Sequence, residues 1–285
     1  MTQSTDHHVP GGLRTRGTVV VVPGRGETRA TYARFGSRLA HDAYRVRVVD
    51  PPAAGQLTDP AADPAAGPLA GPAAGPAAGP AADLAAVAPF LDALSRRLSE
   101  AVGGIAAEAP GGLPRPLVLV GADLGAAALA ALLATASPAA DWWPQGVVLA
   151  GLPAVGARSG GGWEDELDLR THCPVHRGVL TGDASVERGA LAGALPRELL
   201  EAAYGSAAAI PHLLLAGEAD PLADHDAIAR AAGTLPKARL AVVRGAHHDV
   251  LNDLQHRSVA AEVVTFLETL RDDLVPAVTV RTSAW

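Results

Sequence analysis

Short apolar runs alternate along the chain with stretches whose apolar residues recur at helical spacing. Residues 19–22 form a β-branched run closed by Pro23-Gly24-Arg25-Gly26, which predicts a buried strand followed by a turn. Tyr32, Phe35, Leu39 and Ala40 then share one helical face, predicting an amphipathic helix over residues 29–42. Further strands are predicted at 45–50, 117–120, 147–150, 212–216 and 240–243. Helices are predicted at about 83–102, 123–136, 223–233 and 256–271. Strands alternating with helices indicate an α/β protein, with a mainly parallel sheet and helices on both faces.

Two segments interrupt this rhythm. Residues 51–82 repeat Gly-Pro-Ala-Ala around Gly71, Gly75 and Gly79, and proline every few residues opposes both helix and strand pairing. The segment is expected to be a low-complexity surface insertion without chemistry of its own. Residues 152–208 show no strand pattern yet carry Trp163, His172, Cys173, His176 and Tyr204. Placed after a strand, they would lie over the strand carboxyl ends, where open parallel sheets bind ligands. A short helical cap or lid is expected there. The expected division is a tail at 1–17, a core at 18–151 and 209–275, and a second tail at 276–285.

Composition narrows the function. With 23 basic and 30 acidic residues the net charge is −7, which argues against a nucleic-acid or anionic-membrane surface. The single cysteine, Cys173, excludes an internal disulfide and fits a reducing compartment. No basic-apolar leader and no long uncharged apolar run stand out. A cytoplasmic globular protein is expected, with a small molecule as its partner and a homodimer left open. His172-Cys173-Pro174-Val175-His176 offers three metal-binding side chains, but Pro174 opposes a regular helix and no fourth ligand follows at a recognisable spacing. Neither a metal nor a cofactor is expected.

The most informative segment is the strand Leu117-Val-Leu-Val, then Gly121-Ala122-Asp123-Leu124-Gly125, then a helix of small residues. Glycines flanking one polar residue between strand and helix form the context of the G-x-S-x-G nucleophile elbow, with Asp in the serine place. A later strand ends in Gly217-Glu218-Ala219-Asp220. Another ends in His247-His248-Asp249-Val250-Leu251-Asn252-Asp253. The order of elbow residue, acid and histidine is that of hydrolases carrying this elbow.

On these residues, and on Pro23-Gly24-Arg25-Gly26-Glu27 as a counterpart of H-G-x-G-E, the sequence resembles the α/β-hydrolase superfamily. Within it, the lysophospholipase and monoacylglycerol-lipase-like branch is the nearest likeness. Three departures stand out. Pro23 replaces the histidine before the oxyanion loop, too few residues precede the first strong strand for two opening strands, and Asp123 replaces serine. The last change is shared with epoxide hydrolases and haloalkane dehalogenases.

The resemblance implies a covalent route. The Asp123 carboxylate attacks a saturated carbon, Asp220 orients His248, and His248 activates water against the resulting ester. The backbone N–H groups of Arg25 and Leu124 would form the oxyanion hole. His248 is preferred to His247 by likeness to H-E-x-x-N-E loops, and Glu218 is the alternative to Asp220. Leu124 stands where dehalogenases carry tryptophan, so epoxide hydrolysis is the expected reaction. Gly24, Trp163, His172, His176 and Tyr204 are the candidate substrate contacts, with Tyr204, His172, His176 or Trp163 as the epoxide proton donor. Two other readings stay open: an esterase or lysophospholipase-type hydrolase with Asp123 as base, and a non-catalytic binding protein on the same scaffold. Arg25 itself is expected to be either solvated or in contact with a polar substrate group.

Overall fold

The computed structural model describes residues 4–50, 57 and 84–282, so the 51–82 insertion lies outside the described residues apart from Leu57. Among the described residues seven strands form one sheet: β1 (Ser4–His7), β2 (Gly17–Val22), β3 (Tyr44–Val49), β4 (Leu117–Ala122), β5 (Gly146–Ala150), β6 (His212–Gly217) and β7 (Ala238–Val243). Their order is β1-β3-β2-β4-β5-β6-β7. β1 is antiparallel to β3 and every other pairing is parallel. The predicted parallel sheet is thus present, with each predicted strand lengthened slightly or shifted by a residue.

Eight α-helices accompany it among the described residues: α1 (Ala33–His41), α2 (Ala88–Glu108), α3 (Leu124–Thr135), α4 (Trp163–Arg170), α5 (Pro174–Gly182), α6 (Arg197–Tyr204), α7 (His225–Thr234) and α8 (His256–Arg271). The pleat sorts the strand residues between two layers. Val20, Val22, Leu117 and Leu119 pack with α2, α3 and α6 on one face. Val19, Val21, Val118 and Val120 pack with α1 and α8 on the other. Ala126, Ala127, Ala128, Ala130 and Ala131 of α3 are wholly buried, so this helix is apolar all round and its methyl groups allow close approach on every side.

Three expectations are corrected. Asp6, His7 and His8 were expected in a tail, but Ser4–His7 is a strand whose Asp6 pairs with Arg45 at 3.0 Å and Arg47 at 2.6 Å. The segment Ser-Thr-Asp-His has no apolar alternation, so ion pairs and the β3 ladder form a strand that hydropathy does not show. The helix expected at 83–102 starts later, with Pro89 in its first turn where no N–H is required, and runs on to Glu108. The helix expected at 29–42 divides into a 3-10 turn at Arg29–Tyr32 followed by α1. Within the segment expected as a cap, α6 packs on α3, and Leu199, Leu200 and Ala203 join the main core. Among the described residues no helix is long and apolar enough to cross a membrane.

Candidate active site

Asp123 sits between β4 and α3 with φ 46° and ψ −113°, a backbone conformation costly for a residue with a Cβ. The turn is this sharp because strand and helix nearly touch. A Cβ on Gly125 would lie 2.2 Å from the Val22 carbonyl oxygen, and one on Gly121 would lie 2.4 Å from that of Gly125. Both elbow glycines are therefore sterically required. The strain aims Asp123 at the carboxyl ends of the strands, where two loops meet it.

His248 stands between two carboxylates. Its Nδ1 is 2.9 Å from Asp220 Oδ2 and its Nε2 is 3.1 Å from Asp123 Oδ1. Burial alone would lower its pKa, but Asp220 and Asp123 overcome that and raise it to about 10, so the ring is an imidazolium donating to both. Asp220 Oδ1 also accepts from Leu222 N at 2.9 Å, while helix α7 is capped by Asp224. His247 turns away, with Nδ1 2.9 Å from Asp253 Oδ2.

Arg25 is not solvated, contrary to one of the two expectations for it, and its polar partner here is Asp123. It is 5% exposed, and its Nε and Nη2 donate to the two oxygens of Asp123 at 2.8 Å each. Its backbone N–H, expected in the oxyanion hole, donates to Asp123 Oδ2 at 2.8 Å. In this state the Asp123 carboxylate itself fills that donor. Burial would raise the Asp123 pKa, but Arg25 and His248 hold it well below the usual carboxylate range. Gly24 lies against the acid, where an added Cβ would come within 2.9 Å of the Asp123 Cβ.

The cap segment is fastened to this arrangement. Arg25 Nη1 donates to the Gly193 carbonyl at 2.5 Å, Arg170 Nη2 donates to the Arg25 carbonyl at 2.7 Å, and Glu187 N donates to that of Gly26 at 2.9 Å. Asp253, wholly buried, accepts from Thr171 Oγ1, His172 N and His247 N at 2.7–3.0 Å, tying the start of α5 to the histidine loop. A cavity of about 10 Å³ remains beside the acid, lined by Glu27, Tyr32, Asp123, His248, Asp249 and Asn252 among others. That is room for about one water molecule.

The expected substrate contacts do not gather at this cavity. Tyr204 donates to the Pro153 carbonyl at 3.1 Å, and His172 stacks on His247 at 3.8 Å between ring centres. Trp163 lies under the guanidinium of Arg188. His176 Nε2 is 2.8 Å from Asp249 Oδ2, in a second buried network where Arg170 pairs with Glu166 at 2.8 Å and Asp249 at 3.4 Å. Glu27 borders that network and bonds Gly24 N and the Tyr32 hydroxyl. Burial, then the Asp249 charge, push the Glu27 pKa up to about 7. Among the described residues, Glu27, His176 and Asp249 are the group whose ligand atoms converge, within 4.8 Å, as a metal ion would require. His172 and Cys173 turn elsewhere, Cys173 toward Arg34 at 3.5 Å. Glu27, Tyr32 and Asp249 were not assigned side-chain roles from sequence, and for Arg25 the pairing with Asp123 was not foreseen. The charged side chain set between two glycines in Gly-Arg-Gly was the available sign for Arg25.

A protein-family model described as TAP-like protein (Abhydrolase_4) matches residues 194–274, a span that holds Asp220 and His248 but not Asp123. No curated protein matches the chain by sequence. Among solved structures, a soluble variant of monoglyceride lipase from Saccharomyces cerevisiae superposes with a TM-score of 0.62 at 14% identity, covering 94% of this chain and 91% of that one. Monoacylglycerol lipase from Paleococcus ferrophilus gives 0.60 at 17% identity, covering 95% and 99%. Est1E from Butyrivibrio proteoclasticus gives 0.56 at 11%, covering 94% and 93%. Identities this low speak to architecture alone, and by that architecture the chain has the α/β-hydrolase fold.

Proposed function

We propose that the protein is a hydrolase of carboxylic esters in which Asp123 acts as the base for water. The observation that carries this reading is the line Asp123–His248–Asp220, with the imidazolium 3.1 Å from the elbow carboxylate. Its likeness in fold to lipases and an esterase-named protein supports esters as the substrate class. Epoxide opening is set aside, because none of the side chains expected to protonate its leaving oxygen lines the cavity beside Asp123, and Tyr204 and His176 bond elsewhere.

In the proposed cycle, Asp123 takes a proton from water as the water oxygen attacks the acyl carbon. Backbone N–H groups of Arg25 and Leu124 hold the oxyanion of the tetrahedral intermediate. His248 Nε2–H protonates the departing alkoxide, and the proton on Asp123 then crosses to His248. One water is consumed, an acid and an alcohol leave, and both residues return to their starting charge. Release of Asp123 by Arg25 is a condition of this cycle. With the guanidinium in place both carboxylate oxygens are occupied, and the acid is too weak a base.

Single turnover in heavy-oxygen water tests the reading. Label should enter the product acid and leave the Asp123 side chain unlabelled. Label in Asp123 would replace this reading with the covalent-ester route. Asp123→Asn and His248→Gln should each lower ester turnover by about a hundredfold or more, in the range expected for acid–base groups. Full activity in either variant would remove the triad from the reaction. The Arg25–Asp123 fork favours a second reading, a non-catalytic binding protein, which gains if no ester in a broad p-nitrophenyl panel is turned over.

A further inference from the structure

We infer that Arg25 is the recognition residue for a carboxylate carried by the substrate, which it takes up in exchange for Asp123. This rests on the hydrolase reading and adds a substrate class to it: esters whose acid or alcohol portion bears a second, ionised carboxyl group.

The mould for that group is visible. Arg25 Nε and Nη2 close around one planar carboxylate, each at 2.8 Å, and the Arg25 backbone N–H, which now meets the same group, is left to the ester oxyanion once Asp123 is released. A fork of this kind fits two coplanar oxygens and gives both affinity and orientation. Its present occupant is the group that the reaction must set free. A guanidinium 5% exposed, once parted from Asp123, would stand uncompensated in a medium where an unpaired charge is costly. The nearby carboxylates are engaged: Asp220 with His248, Asp249 with His176 and Arg170, Glu166 with Arg170, and Glu27, which has no ion pair, with Gly24 N and the Tyr32 hydroxyl. A carboxylate brought by the substrate replaces the lost partner and frees Asp123 in the same event. A neutral ester must separate the pair without compensation.

Arg25 also holds the cap segment through the Gly193 carbonyl, and its own carbonyl accepts from Arg170. Movement of the guanidinium toward an incoming anion therefore loosens the cover over a cavity with room for about one water. Substrate recognition and access share one side chain.

Monomethyl adipate and methyl hexanoate, which differ in one terminal carboxylate, give the kinetic test. The wild-type protein should prefer the half ester by about tenfold or more in kcat/KM, close to 1.4 kcal/mol. Arg25→Gln should bring the ratio near one. A preference that persists in Arg25→Gln, or no preference in the wild type, overturns the inference. Binding of hexanoate by calorimetry gives a readout that needs no turnover. Asp123→Asn, whose neutral amide leaves Arg25 without a counter-charge, should bind hexanoate about tenfold more tightly than the Arg25→Gln/Asp123→Asn double variant. Equal affinities overturn the inference. Tight hexanoate binding in a protein that cleaves neither ester upholds carboxylate recognition while the hydrolase reading falls.

Discussion

Two buried networks of charge meet at the carboxyl ends of the strands, and they are balanced differently. In the first, Arg25, Asp123, His248 and Asp220 alternate in sign, two carboxylates against two cations. In the second, Glu27, Glu166 and Asp249 face Arg170, with His176 the remaining group able to carry positive charge. In the balanced network Asp123 is held well below its ordinary pKa and His248 is raised to about 10. Excess negative charge in the second falls on Glu27, the carboxylate with no ion pair, whose pKa rises to about 7 after burial and the Asp249 charge act on it. Burial alone thus does not say which way a carboxyl moves. The partner count does.

The largest test breaks the balanced network. Arg25→Met should cost about 3–5 kcal/mol in urea unfolding, since Asp123 is left as a buried charge with a single cationic partner. Adding Asp123→Leu should recover much of that loss, because removing both charges avoids the penalty that removing one creates. A single variant as stable as the wild type would mean the fork contributes nothing in solution.

The second test uses pH. The pKa of His248 is raised by folding, so its contribution is fully present below the unfolded value near 6.5 and is lost as pH rises through about 10. Unfolding free energy should fall on the order of 3–4 kcal/mol between pH 6.5 and 10 through this group. The fall should be much smaller in His248→Gln. Glu27 gives a third, smaller effect of opposite lesson. Its acid form is favoured by folding, so the folded state weakens as pH rises from the ordinary value of 4.5 through about 7. Glu27→Gln should stabilise the protein at pH 8 by on the order of 2 kcal/mol and change little at pH 4. A destabilised variant at pH 8 would show that the charge is compensated after all.

How far the sequence reveals these networks depends on what kind of signal each part leaves. The elbow is legible because the close approach of α3 to β4 and to the end of β2 demands glycines at fixed offsets, and those glycines mark Asp123 whatever its role. Asp220 and His248 are legible because each lies in the loop that follows a strand. The Arg25 fork is not legible, since its direction depends on a side-chain conformation and on a neighbour 98 positions away. The second network draws Glu27, Arg170, His176 and Asp249 from four separate segments with no common spacing. The same limit applies at β1, which is polar throughout and becomes a strand only when β3 lies beside it. Periodicity reports faces that bury apolar groups, and charge networks assembled from distant loops leave no period.

The surface supplies the smallest and sharpest contrast. Asp6 in β1 pairs with Arg45 and Arg47, and its side chain is 22% exposed, against 3% for Asp123. Water and ions reach the outer pair, so its attraction is screened over roughly 10 Å at 0.1 M salt and far more strongly at 1 M. The same arrangement of carboxylate and guanidinium is therefore expected to contribute about 1 kcal/mol there. Asp6→Asn should cost about that much in dilute buffer and about half as much in 1 M sodium chloride. The penalty of Arg25→Met should hold nearly constant across the same salt range, because no ion reaches the fork while the cap segment covers it. Equal salt sensitivity in the two variants would mean that solvent already enters the Asp123 site at rest, so that no cover need be displaced for water to reach the acid.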